Sequence, residues 1–134
     1  MRDRVLILPR TIIGCEKKRL FATARVFVLT SYSENFGNTV LEAMRRRVPV
    51  IVTPEAGAVD IVRESGGGIV VAGDPKPLGA AICRVTTDLG LARSTGEAGR
   101  RHATAHYSWQ HIAAQMEALY ESLISNTQIN SHAR

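Results

Sequence analysis

Two carboxylates, Glu34 and Glu42, stand with seven residues between them in the stretch Ser31-Tyr-Ser-Glu-Asn-Phe-Gly-Asn-Thr-Val-Leu-Glu-Ala-Met44. Between them, Phe36-Gly37-Asn38-Thr39 reads as a tight turn opening a helix, and Val26–Leu29 just upstream reads as a buried strand. The order strand, glycine turn, helix start makes an anion site, because free backbone N–H groups and the positive end of the helix dipole face one point. Ionised carboxylates flanking that point accept hydrogen bonds from vicinal hydroxyls. An anion cradle bordered by hydroxyl acceptors suits a sugar nucleotide. The same residues also make an ordinary helix start, with Asn38 as an adequate cap and Glu42 as an early-turn acid favoured by the dipole.

The elements that must position this stretch follow from the apolar pattern. Short, apolar, β-branched runs at Val5–Leu8, Arg25–Leu29, Pro49–Val52 and Gly68–Val71 predict strands buried on both faces. Helical stretches are expected at Glu16–Thr23, Asn38–Arg46, Ala58–Glu64, Lys76–Leu89, Leu91–Ala105 and Ser108–Ile124. Ser108 is the expected N-cap of the last helix, and the polar tail from Asn126 is expected to fray. Strands alternating with helices predict a parallel α/β sheet with right-handed crossovers. In such sheets ligands sit beyond the carboxyl ends of the strands, which is where Glu34 falls in the chain.

Size and composition set the class. The 134 residues, 45% of them hydrophobic, make one domain with a real core. No apolar run approaches the length of a membrane span, and Val5–Leu8 is too short for a signal peptide. A cytoplasmic location is expected. Cys15 and Cys83 show no metal-ligand spacing and are expected to be thiols. The net charge of +5, with clusters at Lys17–Arg19, Arg45–Arg47 and Arg100–Arg101, suits an anionic partner such as a nucleotide diphosphate or an acidic lipid surface. Solvated helix faces account for such clusters equally simply. His102 and His106, four apart on a helical stretch, read as a surface pair, since Ala103 breaks the zinc-protease pattern. Gly66-Gly67-Gly68 precedes a strand rather than a helix and reads as a turn, not a phosphate loop.

The chain resembles the retaining glycosyltransferases of GT-B architecture, family 4. The resemblance is carried by the E-x7-E pattern of Glu34 and Glu42 and by its neighbours in order: Gly14 with Glu16-Lys17, Val26–Leu29, Val48–Val52, Gly57, Asp60–Val62 and the late Tyr107-Ser-Trp109. It implies an α/β fold, a partial Rossmann-like domain with a parallel sheet of about four strands, flanking helices and a long C-terminal helix. Residues 1–125 would form part of the donor-binding domain and residues 126–134 a polar tail. By resemblance, Glu34 faces the donor sugar as the catalytic carboxylate. Phe36, Gly37, Asn38 and Thr39 offer backbone amides to the sugar or β-phosphate, and Glu42 accepts from the ribose. The substrate is a nucleotide-diphosphate sugar, with no metal and no cofactor. The acceptor, a glycan or lipid-linked sugar, would come through an N-terminal domain missing from this sequence, as are the Arg and Lys that grip the donor diphosphate. Peripheral association with the inner face of a membrane, and homodimerisation of the isolated chain through an unpaired sheet edge or an apolar final helix, are further expectations. A non-catalytic nucleotide-sugar-binding module or self-associating remnant is the alternative. A nucleic-acid partner is not expected, since aromatics make up only 5% of the chain.

One departure stands out. Arg47 occupies the position before the Val48-Pro49-Val50 run where the family has glycine, a residue that ends the helix in a left-handed conformation.

Overall fold

The computed structural model describes residues 5–33 and 35–131, with side chains as far as 125. The elements run in the order α1 (Gly14–Thr23), β1 (Phe27–Leu29), α2 (Asn38–Arg45), β2 (Val50–Val52), α3 (Val59–Ser65), β3 (Gly68–Val70), α4 (Pro75–Thr87), α5 (Leu89–His106) and α6 (Trp109–Ser131). The three strands form one parallel sheet in the order β1-β2-β3, with Phe27 opposite Val50 and Val50 opposite Gly68.

Alternation along each strand divides the core into two layers. Phe27, Leu29, Val50, Val52 and Val70 pack with Phe21 of α1, Val40 and Met44 of α2, and Ile61 and Val62 of α3. On the other face Ile51, with Val28 and Ile69, packs against Ala81 and Val85 of α4. The central strand β2 is fully buried, which explains its unbroken Val-Ile-Val. Each large side chain so buried contributes about 1.5–3 kcal/mol. This two-faced parallel arrangement is the α/β architecture that the alternating pattern predicts.

Among the described residues the sheet has three strands, close to the four or so expected. Val5–Leu8 is expected as a strand but forms none, and Val5, Leu6 and Ile7 are 70–80% exposed. Among the described residues no ladder runs along the outer edge of β1 for it to join, and β-branched residues hold a strand only against a partner. At the other end α6 continues to Ser131 instead of fraying from Asn126, since no Gly or Pro interrupts Asn126–Ser131.

Side-chain and backbone caps set the helix ends. Ser108 Oγ accepts from His111 N at 3.2 Å, as expected for the cap of α6. Asp88 caps α5 by accepting from Leu91 N at 2.9 Å. The glycine run does more than turn the chain. Gly66 ends α3 in the left-handed region, and Gly67 is buried where α5 crosses it, so that an added Cβ would sit 2.6 Å from Gly99 Cα and 2.7 Å from Met44 Cε. Two glycines here let α5 press its backbone onto the loop before β3.

Candidate functional site

β1 ends at Leu29, and α2 begins at Asn38. Gly37 occupies the N-cap with φ 69° and ψ 46°, in the left-handed region, and among the described residues no side chain caps the helix. A Cβ at this position would lie 2.9 Å from Ala58 Cβ, so the turn is held against the start of α3 and requires glycine on both counts. Asn38 is the first helical residue rather than the cap. Among the described residues no side chain answers the first-turn amides of Asn38 and Thr39, and such amides are open to an anion.

Glu42 lies one turn further on. Its carboxylate is 44% exposed and receives Lys17 Nζ at 2.8 Å. The ammonium comes from α1, 25 residues earlier, and sequence alone gives no sign of the pairing. Neither group is buried in the core. On one side Glu42 borders a groove of about 600 Å³ shared with Phe36, Asn38, Arg45, Tyr107 and Trp109. On the other it borders a recess of about 360 Å³ with Lys17, Lys18 and Arg46. Phe36, 43% exposed, meets the Tyr107 ring at a centroid distance of 6.0 Å and joins the α2 turn to the α5–α6 junction. The expected site thus has Phe36, Asn38 and Glu42 on one groove, Gly37 as its buried hinge and Thr39 half-buried in the first turn. Glu34 lies outside the described residues.

A second recess, of about 310 Å³, opens at the carboxyl ends of all three strands. Ser31, Thr53, Glu55, Gly73 and Asp74 line it. Thr53 Oγ1 donates to Ser31 O at 2.9 Å and so ties the exits of β1 and β2 together. Sequence reading passed over these residues, although their place just after each strand was the available signal.

His102 and His106 do share a face, with ring centroids 4.6 Å apart, but they are not a plain surface pair. His102 is half-buried, and its Nε2 has no hydrogen-bond partner among the described residues. Burial pulls its pKa below the ordinary histidine value; His106 adds to the effect and Glu64 opposes it. Tyr107 is pushed up by burial and then by Glu64. Among the described residues no group of three or more His, Cys, Asp or Glu could hold a metal ion, and no helix is long and apolar enough to cross a membrane.

A two-faced parallel sheet whose α2 helix follows β1 and opens on a left-handed glycine defines an α/β domain of the Rossmann kind. More narrowly, the chain belongs to the family described as "Glycosyl transferases group 1", whose model matches residues 1–88. It is 34% identical over 104 residues to the capsular polysaccharide biosynthesis glycosyltransferase CapM of Staphylococcus aureus, covering 77% of this chain and 27% of that protein. It is 33% identical over 128 residues to the lipopolysaccharide core biosynthesis mannosyltransferase LpcC of Rhizobium leguminosarum bv. viciae, covering 94% of this chain and 35% of that one. Among solved structures, sucrose-phosphate synthase from Thermosynechococcus elongatus matches with a TM-score of 0.74 at 34% identity, over 87% of this chain and 30% of that chain. HepE of Anabaena, solved in complex with UDP and glucose, matches with a TM-score of 0.73 at 22% identity, over 81% and 30%, a likeness of fold. The chain spans roughly a third or less of the length of these proteins.

Proposed function

We propose that this chain is the donor-binding portion of a retaining glycosyltransferase, which takes a sugar from a nucleotide-diphosphate donor and passes it to a glycan or lipid-linked acceptor. The observation that carries the reading is the start of α2: Gly37 in the left-handed region, amides at Asn38 and Thr39 that no side chain among the described residues claims, and Glu42 half-exposed one turn later. In this reading the amides take the sugar or β-phosphate, Glu42 accepts from the ribose hydroxyls, and Glu34 supports the donor sugar as charge develops at the anomeric carbon. Lys17 acts as a positioning residue that holds the Glu42 carboxylate in one orientation. The leaving phosphate accepts the incoming hydroxyl's proton, so no protein nucleophile is required. CapM and LpcC, named for capsular polysaccharide and lipopolysaccharide core synthesis, support a surface-glycan acceptor.

Calorimetric titration with UDP- and GDP-sugars tests this. Saturable binding that weakens about tenfold in Glu42→Ala is expected, together with little dependence on salt. Absence of binding to every nucleotide sugar, in this chain and in a longer protein containing it, would remove the reading. Glycosyl transfer by the 134 residues alone is expected to be negligible, because among the described residues no Arg or Lys other than Arg45 borders the groove beside the α2 amides to stabilise a leaving diphosphate. Glu34→Ala in a longer protein should lower turnover more than donor affinity.

The alternative of a self-associating module has one observation in its favour. Trp109, Met116, Leu119, Tyr120 and Leu123 of α6 are 41–82% exposed, and apolar patches of this kind seek partners. Light scattering across a concentration series separates a dimer from a monomer.

A further inference from the structure

At the amino ends of β1 and β2, away from the α2 start, lies an open recess of about 350 Å³. This is within the size range of small-molecule sites. Three guanidinium groups border it. Arg25 comes from just before β1, Arg47 from the end of α2 and Arg93 from the first turns of α5. Val85, Leu89 and Ala92 supply an apolar floor, of which Leu89 is 74% exposed.

The acids nearby are already engaged. Glu97, the carboxylate on the rim, receives Arg47 Nε at 2.6 Å. Asp88, at the start of α5, is turned into its own helix as the cap. Among the described residues Arg25 and Arg93 form no ion pair. Three positive charges against one negative on the rim leave a surplus of two, concentrated over apolar surface.

The backbone supplies an independent observation. Arg47 sits at φ 61°, alone among the described non-glycine residues in having positive φ. Glycine would relieve this conformation, and strain of this type persists where the side chain has a use. The strained position is the one that brings the third guanidinium to the rim.

We propose that this recess binds a phosphate monoester carried on an apolar body. Guanidinium groups pair with phosphate oxygens in bidentate fashion, and a dianion matches the surplus of charge. The Val85–Leu89–Ala92 floor covers the aryl or alkyl part of the ligand. The source is either a soluble phosphate monoester or a lipid with a phosphate-monoester headgroup, both of which present the same chemistry.

The test uses the purified chain, phenyl phosphate as the soluble probe and phosphatidic acid vesicles as the lipid probe, with phenol and phosphatidylcholine vesicles as controls. Saturable binding of phenyl phosphate is expected, at least about tenfold weaker in the double variant Arg25→Gln/Arg93→Gln. All three arginines are exposed, so an unchanged circular dichroism spectrum will show that the variant folds. Arg47→Gly is expected to weaken binding about threefold while raising Tm, which separates loss of a ligand contact from loss of structure. Co-sedimentation with phosphatidic acid but not phosphatidylcholine vesicles, lost in the same double variant, would assign the phosphate to a lipid. Binding of phenyl phosphate alone would assign it to a soluble ester. No saturable binding to either anionic probe, or equal binding by the double variant, would overturn the proposal.

Discussion

The two ends of α2 solve one geometric problem in different ways. Each is closed by a residue in the left-handed region, Gly37 at φ 69° and Arg47 at φ 61°. At the start, the turn packs within 2.9 Å of Ala58 Cβ measured from where a side chain would begin, so nothing larger than glycine fits. At the end, Arg47 N donates to Met44 O at 2.9 Å and Val48 N to Ala43 O at 3.1 Å, the paired bonds of a Schellman cap. There the side chain points to solvent and pairs with Glu97, while the Arg47 backbone is pressed by α5 at Gly96, where an added Cβ would meet Arg47 O at 2.2 Å. Left-handed backbone alone is tolerable for a side chain; left-handed backbone combined with a close contact is not.

The largest expected effect follows at the tight end. Gly37→Ala adds both φ strain and the clash with Ala58, and should destabilise the fold by about 2–3 kcal/mol in urea unfolding. Adding Ala58→Gly should recover the part due to the clash and leave the part due to φ. If the second change restores nothing, the contact is not what demands glycine.

Next comes the carboxylate between the two ends. Glu42→Ala should weaken nucleotide-sugar binding by about 1.4 kcal/mol, the equivalent of tenfold, with stability little changed. Lys17→Met should weaken it less, since a half-exposed ion pair is worth about 0–1 kcal/mol and its removal only loosens the carboxylate. Equal losses in the two variants would mean that Lys17 itself touches the donor.

A smaller change is expected at the open end. Arg47→Gly should stabilise the chain by about 0.5–1 kcal/mol, the relief of φ strain offset by the lost Glu97 pair and the freer unfolded chain. A measured destabilisation would show that the Arg47–Glu97 pair outweighs the strain.

The smallest concerns His102, beside Tyr107 and the Phe36 contact. Burial depresses its folded pKa below the unfolded value near 6.5, so the unfolded chain binds the proton more readily. The resulting stability is fully present above that pH and is lost as pH falls through the folded pKa. A Tm profile from pH 7.5 to 5 should therefore decline, and His102→Gln should flatten it. His106 on the same helix and Glu64 on α3 act in opposite directions on this titration.

Much of this was legible in the residues themselves. Among the described residues the strands and helices fall where short β-branched runs and helical spacing put them, because a buried parallel strand needs apolar residues on both faces and a packed helix needs one apolar stripe. The same local logic located the α2 turn and the Ser108 cap. It failed at Val5–Leu8, since a strand exists only through its neighbour.

What the sequence by itself determined is local: the periodicity of each element, the glycine at the head of α2 and the placing of Glu42 one turn on. These depend on backbone sterics and side-chain pattern within a few residues. Only the tertiary structure decided that Lys17 holds Glu42 across 25 residues, that Ala58 forbids a side chain at Gly37, that Phe36 reaches Tyr107, and that Arg25, Arg47 and Arg93 share one recess. The physical reason is that such contacts join distant segments, and their geometry is set by how helices of given length pack across a twisted sheet, which no local pattern encodes.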